Sequence, residues 1–581
     1  MRLRFKTVLF FAALLGLVAG SHHFANATEG VATHFIATTE GVTTRFTNAT
    51  EGVTPRFANA PKSVATKEHS LPSQLQATPL QKSKQVKDWS RQVDEAVQYL
   101  EQVRERWGFP GASIAIIKDG KTLYTGGVGV REEGKEEGVD AQTLFPIGSI
   151  SKSFTAMVVA SLVAEGKLKW NDKIKDILPD FEMYDKWVEN NIEVQDVMLH
   201  NTGLKAQLGT NLASFGYNRN DIYNIFGLLK PKNKFRDSYG YNNITFIIAG
   251  KIIEKCSGKS WEENVRERIF IPLGMNDSHI NTNEYEAVEN RAQYHHIKYD
   301  REPATSHKTV TQFAHFYTPQ GADRAGYWLT AIGPAGSISS TAQDMAKYIE
   351  FHLNSGRVGS KQLLPKKQME YLHTGHNPIS KNSKVQKSYG LCWNVVKNSD
   401  YTIVSHTGSV RGFTAIAAFI PHEQLGFVML VNSNSPREPR DAMLNKVVDI
   451  FTGKSSKDYN STFFEQWLTT TVKKRAAAAE RAKGSTTKEP PSATLLPGVY
   501  RGRGALGNVV VERRGEELFI TTGSLGWVTP LLHQSGNRYG FRREGFTFPV
   551  TFFFEEEGAN SNAIKIGFGN GEDFGLWKRV E

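Results

Sequence analysis

Phe145-Pro146-Ile147-Gly148-Ser149-Ile150-Ser151-Lys152-Ser153-Phe154, FPIGSISKSF, sets three serines and a lysine within five residues at what reads as the start of a helix. Ser149 and Lys152 are three apart, so on a helix their side chains share a face and can meet. A serine hydroxyl is a weak nucleophile until a neighbour takes its proton, and an amine that burial has made less basic can do so. A helix N-terminus adds backbone N–H groups and positive dipole where an oxyanion would form. The same residues also suit a plain helix with a serine N-cap and a solvated lysine. The pattern alone decides nothing; partners elsewhere in the chain do.

Two such partners follow in order. Tyr241-Asn242-Asn243 stands just before a helical run over 244–256, and His406-Thr407-Gly408 ends a strand-like stretch, 401–405, that leads into a hairpin. These are variants of the S-D-N and K-T-G elements that accompany S-x-x-K in β-lactamases and penicillin-binding proteins. With PGASIAIIKDG from Pro110, DVMLHNTGL from Asp196, FRDSYGYNNITFIIAG from Phe235, IFIPLGM from Ile269, PAGSISSTAQDMAKY from Pro334 and SHTGSVRGFTAIAAFIP from Ser405, the chain resembles the serine β-lactamase-like superfamily. The group it is most similar to holds class C β-lactamases, D-aminopeptidases and related esterases, and the resemblance covers about 89–455.

The resemblance implies that Ser149 is acylated, that Lys152 shuttles its proton, and that Tyr241 assists as base and then donates to the leaving group. Whether Lys152 or Tyr241 deprotonates Ser149 stays open at this level. It implies that Asn243 bonds the substrate amide or Lys152, and that the backbone N–H groups of Ser149 and Ser409 form the oxyanion hole. No metal or cofactor is implied. His406 departs from the pattern, since β-lactamases carry lysine there. An imidazole with its ordinary pKa is mostly neutral at pH 7 and would not draw a substrate carboxylate as an ammonium does. Ester or amide hydrolysis is therefore expected ahead of penicillin hydrolysis. The pairs His22-His23 and His295-His296 lack further ligands at metal spacing and read as structural.

Outward from the motifs, 113–118, the Asp119-Gly120 turn and 122–126 read as a β-hairpin, and 413–420 with 426–432 as a second. Helical patterns between them, including 149–165, 243–256 and 341–353 closed by glycines, imply an antiparallel sheet covered by helices with a helical subdomain, an α+β domain over 89–455. A helical and polar linker, 456–493, precedes 494–581. There, short strands between glycine-containing turns read as a small all-β meander or barrel, similar to the lipocalin-like domain that often follows such hydrolases. The phenylalanine run 546–554 is expected to be barrel core.

Ahead of these, Arg2, Arg4 and Lys6 precede an apolar run and small residues, which reads as a secretory signal over 1–20, with a second cleavage option after Ala27. Thr28, Thr39 and Thr50 each open a Thr-Glu-Gly-Val copy in a Thr/Ala-rich tail, 21–88, with too few apolar residues for a core. Sequons at Asn26, Asn48, Asn276 and Asn460 suit an extracellular glycoprotein, whereas the one at Asn243 falls in the reactive cluster. The two cysteines, Cys256 and Cys392, permit one bridge or two buried thiols. The net charge of +11 is spread among acidic residues, which argues against a nucleic-acid interface. No second segment is apolar enough to span a membrane.

The expected function is a secreted serine hydrolase acting through an acyl-enzyme on a small-molecule or peptide ester or amide. The alternative is an extracellular matrix or binding protein that keeps the fold with weak or no activity, as shell-matrix members of the family suggest.

Overall fold

The computed structural model describes residues 87–299, 308–312, 325–382, 384–454, 457–483, 489, 491–492, 494–543, 546–554, 562–568 and 576–581. The expected signal, the repeats and the sequons at Asn26 and Asn48 lie outside the described residues.

Helix α1 (Ser90–Trp107) leads into strands β1 (Gly111–Lys118) and β2 (Lys121–Gly129). Asp119 and Gly120, at φ 54° and 75°, give their turn the two left-handed residues that a type I′ hairpin requires. Helices α2 (Ser151–Ala164), α3 (Thr245–Ser257) and α4 (Ala342–Leu353) follow, then β3 (Asn377–Lys381), β4 (Gln386–Tyr389), β5 (Asn394–Lys397), β6 (Thr402–Val410), β7 (Phe413–Ile420), β8 (Leu425–Val431), α5 (Glu438–Thr452) and α6 (Tyr459–Lys483). The strands form one eight-stranded sheet in the order β2-β1-β8-β7-β6-β5-β4-β3, so its centre joins the two ends of the domain. There β1 runs antiparallel to β8, from Ala112↔Val431 to Lys118↔Leu425.

Every residue of β1, β7 and β8 is buried, because helices cover both faces. On one face Leu100, Val103 and Trp107 of α1 and Met443 and Val447 of α5 join Ile114, Ile416 and Phe427. On the other, Ala115, Ala417 and Leu430 join the core that holds α2 and α4. Helix α2 is buried nearly all round, including Lys152 and three polar neighbours, as befits a central helix and not an amphipathic surface one.

The stretch read as a linker is in part catalytic-domain structure. Helix α6 covers Trp107, whose ring lies 5.0 Å from Phe464 and 5.5 Å from Trp467. Asn460 is 4% exposed, accepts from Trp107 Nε1 at 2.9 Å and donates from Nδ2 to the Gln102 carbonyl at 3.1 Å. A glycan on that nitrogen would break the contact of this buried side chain, which corrects the reading of Asn460 as a glycosylation site. Asn276 is exposed in a turn. Cys256 and Cys392 are free thiols.

The C-terminal domain is a closed barrel in which eight strands, from Gly498–Arg501 to Trp577–Arg579, pair antiparallel with their chain neighbours. Tyr500↔Arg579 closes the circle, and closure removes exposed strand edges. Phe548, Val550 and Phe552 of the phenylalanine run point inward and are buried. Among the described residues no helix is long and apolar enough to cross a membrane.

Candidate active site

Ser149 lies in a 3₁₀ turn, Gly148–Ile150, that runs directly into α2. Its hydroxyl does not cap the helix; neither Ile147 nor Ile150, the cap positions, makes a side-chain cap bond. Instead Ser149 Oγ is 3.0 Å from Lys152 Nζ. Ser151 and Ser153 are taken up structurally: Ser151 Oγ accepts from the Ile338 N–H at 3.1 Å, and Ser153 Oγ accepts from the Tyr348 hydroxyl at 3.0 Å. The geometry therefore singles out one serine of the three.

Lys152 is fully buried, with Nζ 2.8 Å from Asn243 Oδ1 and 2.8 Å from the Ala335 carbonyl. Burial pulls its pKa from 10.5 down to about 7. A neutral amine has two N–H donors and one lone pair. The two oxygens accept the two donors, which leaves the lone pair facing Ser149. When protonated, the third N–H donates to Ser149 Oγ instead. One arrangement thus serves both charge states.

Tyr241 and Asn243 precede α3, which packs against α2 and so brings them to Lys152. The Tyr241 side chain neighbours Ser149, while burial drives its pKa up and keeps the phenol protonated near neutrality. Lys152 Nζ sits 4.9 Å from the Tyr241 ring centroid and 5.2 Å from that of Phe246, faces that attract the ammonium. Asn243 Nδ2 donates to Gln207 Oε1 at 3.0 Å and to Thr210 Oγ1 at 3.4 Å.

The third element arrives on β6. His406 and Gly408 pair with Ala417 and Ala415, so both face the helices. A Cβ on Gly408 would sit 1.9 Å from the Ile147 carbonyl oxygen, and one on Gly148 would sit 2.9 Å from the Ser409 nitrogen. Only glycine lets the strand come this near the serine turn, and the approach brings the Ser409 backbone beside that of Ser149. Arg440 supports the strand from behind, donating to the carbonyls of Gly408 and Ala415 at 2.9 Å each.

His406 is 3% exposed, and its ring centroid lies 6.5 Å from that of Tyr241. Nδ1 is 2.7 Å from the Thr407 carbonyl, which can only accept, so Nδ1 carries the proton. Nε2 then accepts from the Tyr389 hydroxyl at 2.9 Å. Burial, then the nearby Lys152, lowers its pKa to about 3. His406 is a neutral wall with both nitrogens occupied, not a cation.

Residues that no motif reading singled out complete the cluster. His200, at φ 57°, accepts the Asn242 N–H on Nδ1 at 3.1 Å and packs 4.3 Å from the Tyr241 ring. It was visible only as part of DVMLHNTGL. Ala335 acts through a carbonyl, which residue type cannot signal. Among the described residues no group of three or more His, Cys, Asp or Glu could hold a metal. His295 donates from Nδ1 to the Asn432 carbonyl at 2.8 Å and accepts the Glu133 N–H at 3.0 Å, a structural role.

Several known proteins are similar to this chain. The chain is 26% identical over 349 residues to unguisins hydrolase ungD' of Aspergillus campestris, covering 58% of this chain and 60% of that protein. It is 22% identical over 355 residues to protein flp of Staphylococcus aureus, covering 61% and 65%. The chain thus spans less than two thirds of the length of these relatives. An octameric penicillin-binding protein homologue from Pyrococcus abyssi superposes with a TM-score of 0.52 at 20% identity, covering 82% of this chain and 98% of that one. A structure of SurE gives 0.51 at 16% identity, covering 84% and 99%. These two likenesses speak to fold alone. The Beta-lactamase family model matches residues 97–449, the span that carries the serine turn, the Tyr-Asn-Asn element and the His-Thr-Gly strand. The chain therefore belongs to the Beta-lactamase family, within the serine β-lactamase-like superfamily of hydrolases.

Proposed function

We propose that this protein is a secreted serine hydrolase that cleaves an ester or amide through an acyl-enzyme on Ser149. The observation that carries the reading is the buried Lys152 amine, with two N–H groups held by oxygens and its third position on the Ser149 hydroxyl. Near pH 7 a large share of Lys152 is neutral and can take the Ser149 proton as Oγ attacks the substrate carbonyl. The backbone N–H groups of Ser149 and Ser409 receive the developing oxyanion. The Tyr241 phenol, held protonated, passes a proton to the leaving group and is reprotonated from the Lys152 ammonium. Water then attacks the acyl ester, Lys152 takes the water proton, and Ser149 regains its own. This assigns the base to Lys152 and the relay to Tyr241.

The neutral His406 favours substrates without a fixed carboxylate at that wall, hence esters or amides ahead of penicillins. A relative named as a hydrolase supports hydrolysis as the reaction class. The signal-like N-terminus and the sequons support secretion. Hydrolysis of p-nitrophenyl esters, D-amino-acid amides and nitrocefin, each compared with Ser149→Ala, tests the reading. Ester or amide turnover that exceeds nitrocefin turnover and vanishes in Ser149→Ala is expected. Activity that survives in Ser149→Ala, or nitrocefin as the best substrate, would overturn it. Sequencing the mature N-terminus from a secreting host tests the export claim.

A further inference from the structure

The segment after the DVMLHNTGL motif touches the reactive cluster at one end and the C-terminal barrel at the other. At its start Gln207, held at φ 62°, donates its N–H to the Tyr241 carbonyl at 2.8 Å, and its side chain accepts from Asn243 and, at 3.1 Å, from Thr210. Trp328 Nε1 donates to the Thr210 carbonyl at 2.9 Å. A 3₁₀ helix then runs from Thr210 to Phe215. At its end the Phe215 ring enters the barrel, with centroids 5.0 Å from Phe548, 5.2 Å from Phe568 and 5.5 Å from Phe541. It is 4% exposed and belongs to the same core as those rings.

The docking is held by main-chain groups and one tyrosine hydroxyl. The Gly216 carbonyl accepts the Leu525 N–H at 3.1 Å, and the Tyr217 hydroxyl donates to the Leu506 carbonyl at 2.6 Å. A Cβ on Gly523 would lie 2.3 Å from the Gly216 carbonyl carbon, so the two chains touch main chain to main chain. Phe215 thus packs with buried rings that the barrel strands contribute.

We propose that Phe215 is a positioning residue for the hydrolytic site: seated in the barrel, it holds the 207–215 segment so that Gln207 and Thr210 orient the Asn243 amide with Oδ1 toward Lys152. The left-handed Gln207 is a backbone state that persists only where its surroundings over-determine it, and the anchored ring supplies that constraint. The barrel is then a working part of the active site, and the proposal rests on the hydrolase reading above. Without the anchor, Gln207 relaxes, Asn243 is free to turn, and Lys152 loses one of its two oxygen partners.

The test measures the rate of fluorophosphonate labelling of Ser149 in the full chain from pH 5 to 9, for wild type, Phe215→Ala, Phe215→Leu and Tyr500→Phe. Tyr500→Phe is the control: it removes a buried barrel hydrogen bond to the Leu496 carbonyl, in a different ring group that includes Phe552. Phe215→Ala is expected to slow labelling about tenfold or more and to move the pH midpoint by about half a unit or more, as a changed Lys152 environment requires. Phe215→Leu should recover part of both, and Tyr500→Phe should lower thermal stability while leaving rate and midpoint unchanged. Wild-type rate and midpoint in Phe215→Ala would overturn the coupling and leave the hydrolase reading standing. An unlabelled wild type would overturn both.

Discussion

The Lys152 amine and the Ser149 hydroxyl oxygen stand 3.0 Å apart inside a helix start from which solvent is excluded on the lysine side. Replacing Lys152 by alanine should lower kcat/KM for a neutral ester by about 10²–10⁴-fold, the usual share of a positioned proton carrier. Arginine should not rescue it, since a guanidinium stays charged throughout the working range. In the wild type kcat/KM should rise with pH through about 7 as Lys152 loses its proton. Steady-state kinetics on p-nitrophenyl acetate check all three.

The same lysine makes stability depend on pH. Its folded pKa, about 7, lies below the unfolded 10.5, so between these values the unfolded chain holds the extra proton. Stability therefore rises with pH across that window, by on the order of 5 kcal/mol for a shift of this size. Lys152→Met should flatten the rise, as read by urea unfolding at pH 6.5 and pH 10.

Acid should act through buried imidazoles. His406 and His373 are each lowered to about 3, His200 and His352 lie well below 6.5, and burial is the first cause in all four. His352 Nδ1 and His373 Nε2 are 2.8 Å apart, so protonating both would set two charges side by side. As pH falls from 6.5 toward 3 the unfolded chain takes up protons that the folded chain refuses, and stability falls. A melting temperature that drops steeply between pH 6.5 and 4 is expected; His352→Phe, which deletes one of the pair, should soften the drop.

Gly408→Ala should damage catalysis more than folding. The new methyl would meet the Ile147 carbonyl at 1.9 Å and push β6 off the serine turn, displacing the Ser409 N–H. Loss of one oxyanion donor costs about 10²–10³ in kcat, while overpacking of this kind costs about 1–3 kcal/mol of stability. Comparing kcat with the melting temperature separates the two.

The arrangement of α2, the two hairpins and the three reactive elements was legible because each carries a local signal: Asp119-Gly120 for the turn, Ser149 and Lys152 on one helix face, closing glycines at Gly258 and Gly356. The use of residues through their backbones or through distant partners was not. Ala335 contributes a carbonyl, and Gln207 and Thr210 act only because the fold returns them to Asn243. Helix α6 read as a linker since its polar exterior dominates its sequence, while Phe464 and Trp467 bury against a tryptophan 357 and 360 positions earlier. For His406, the sequence pointed to a neutral imidazole from its ordinary pKa alone. The structure adds burial and the Tyr389 hydroxyl, which hold it neutral far below pH 7.

The central claim, acylation of Ser149 with Lys152 as the base, is tested most directly by intact-mass and peptide mapping after reaction with a fluorophosphonate at several pH values. A single adduct on Ser149 is predicted, absent in Ser149→Ala, with a formation rate that climbs through about pH 7 and loses that dependence in Lys152→Ala. No adduct, an adduct on Ser151 or Ser153, or a rate indifferent to Lys152 would contradict it.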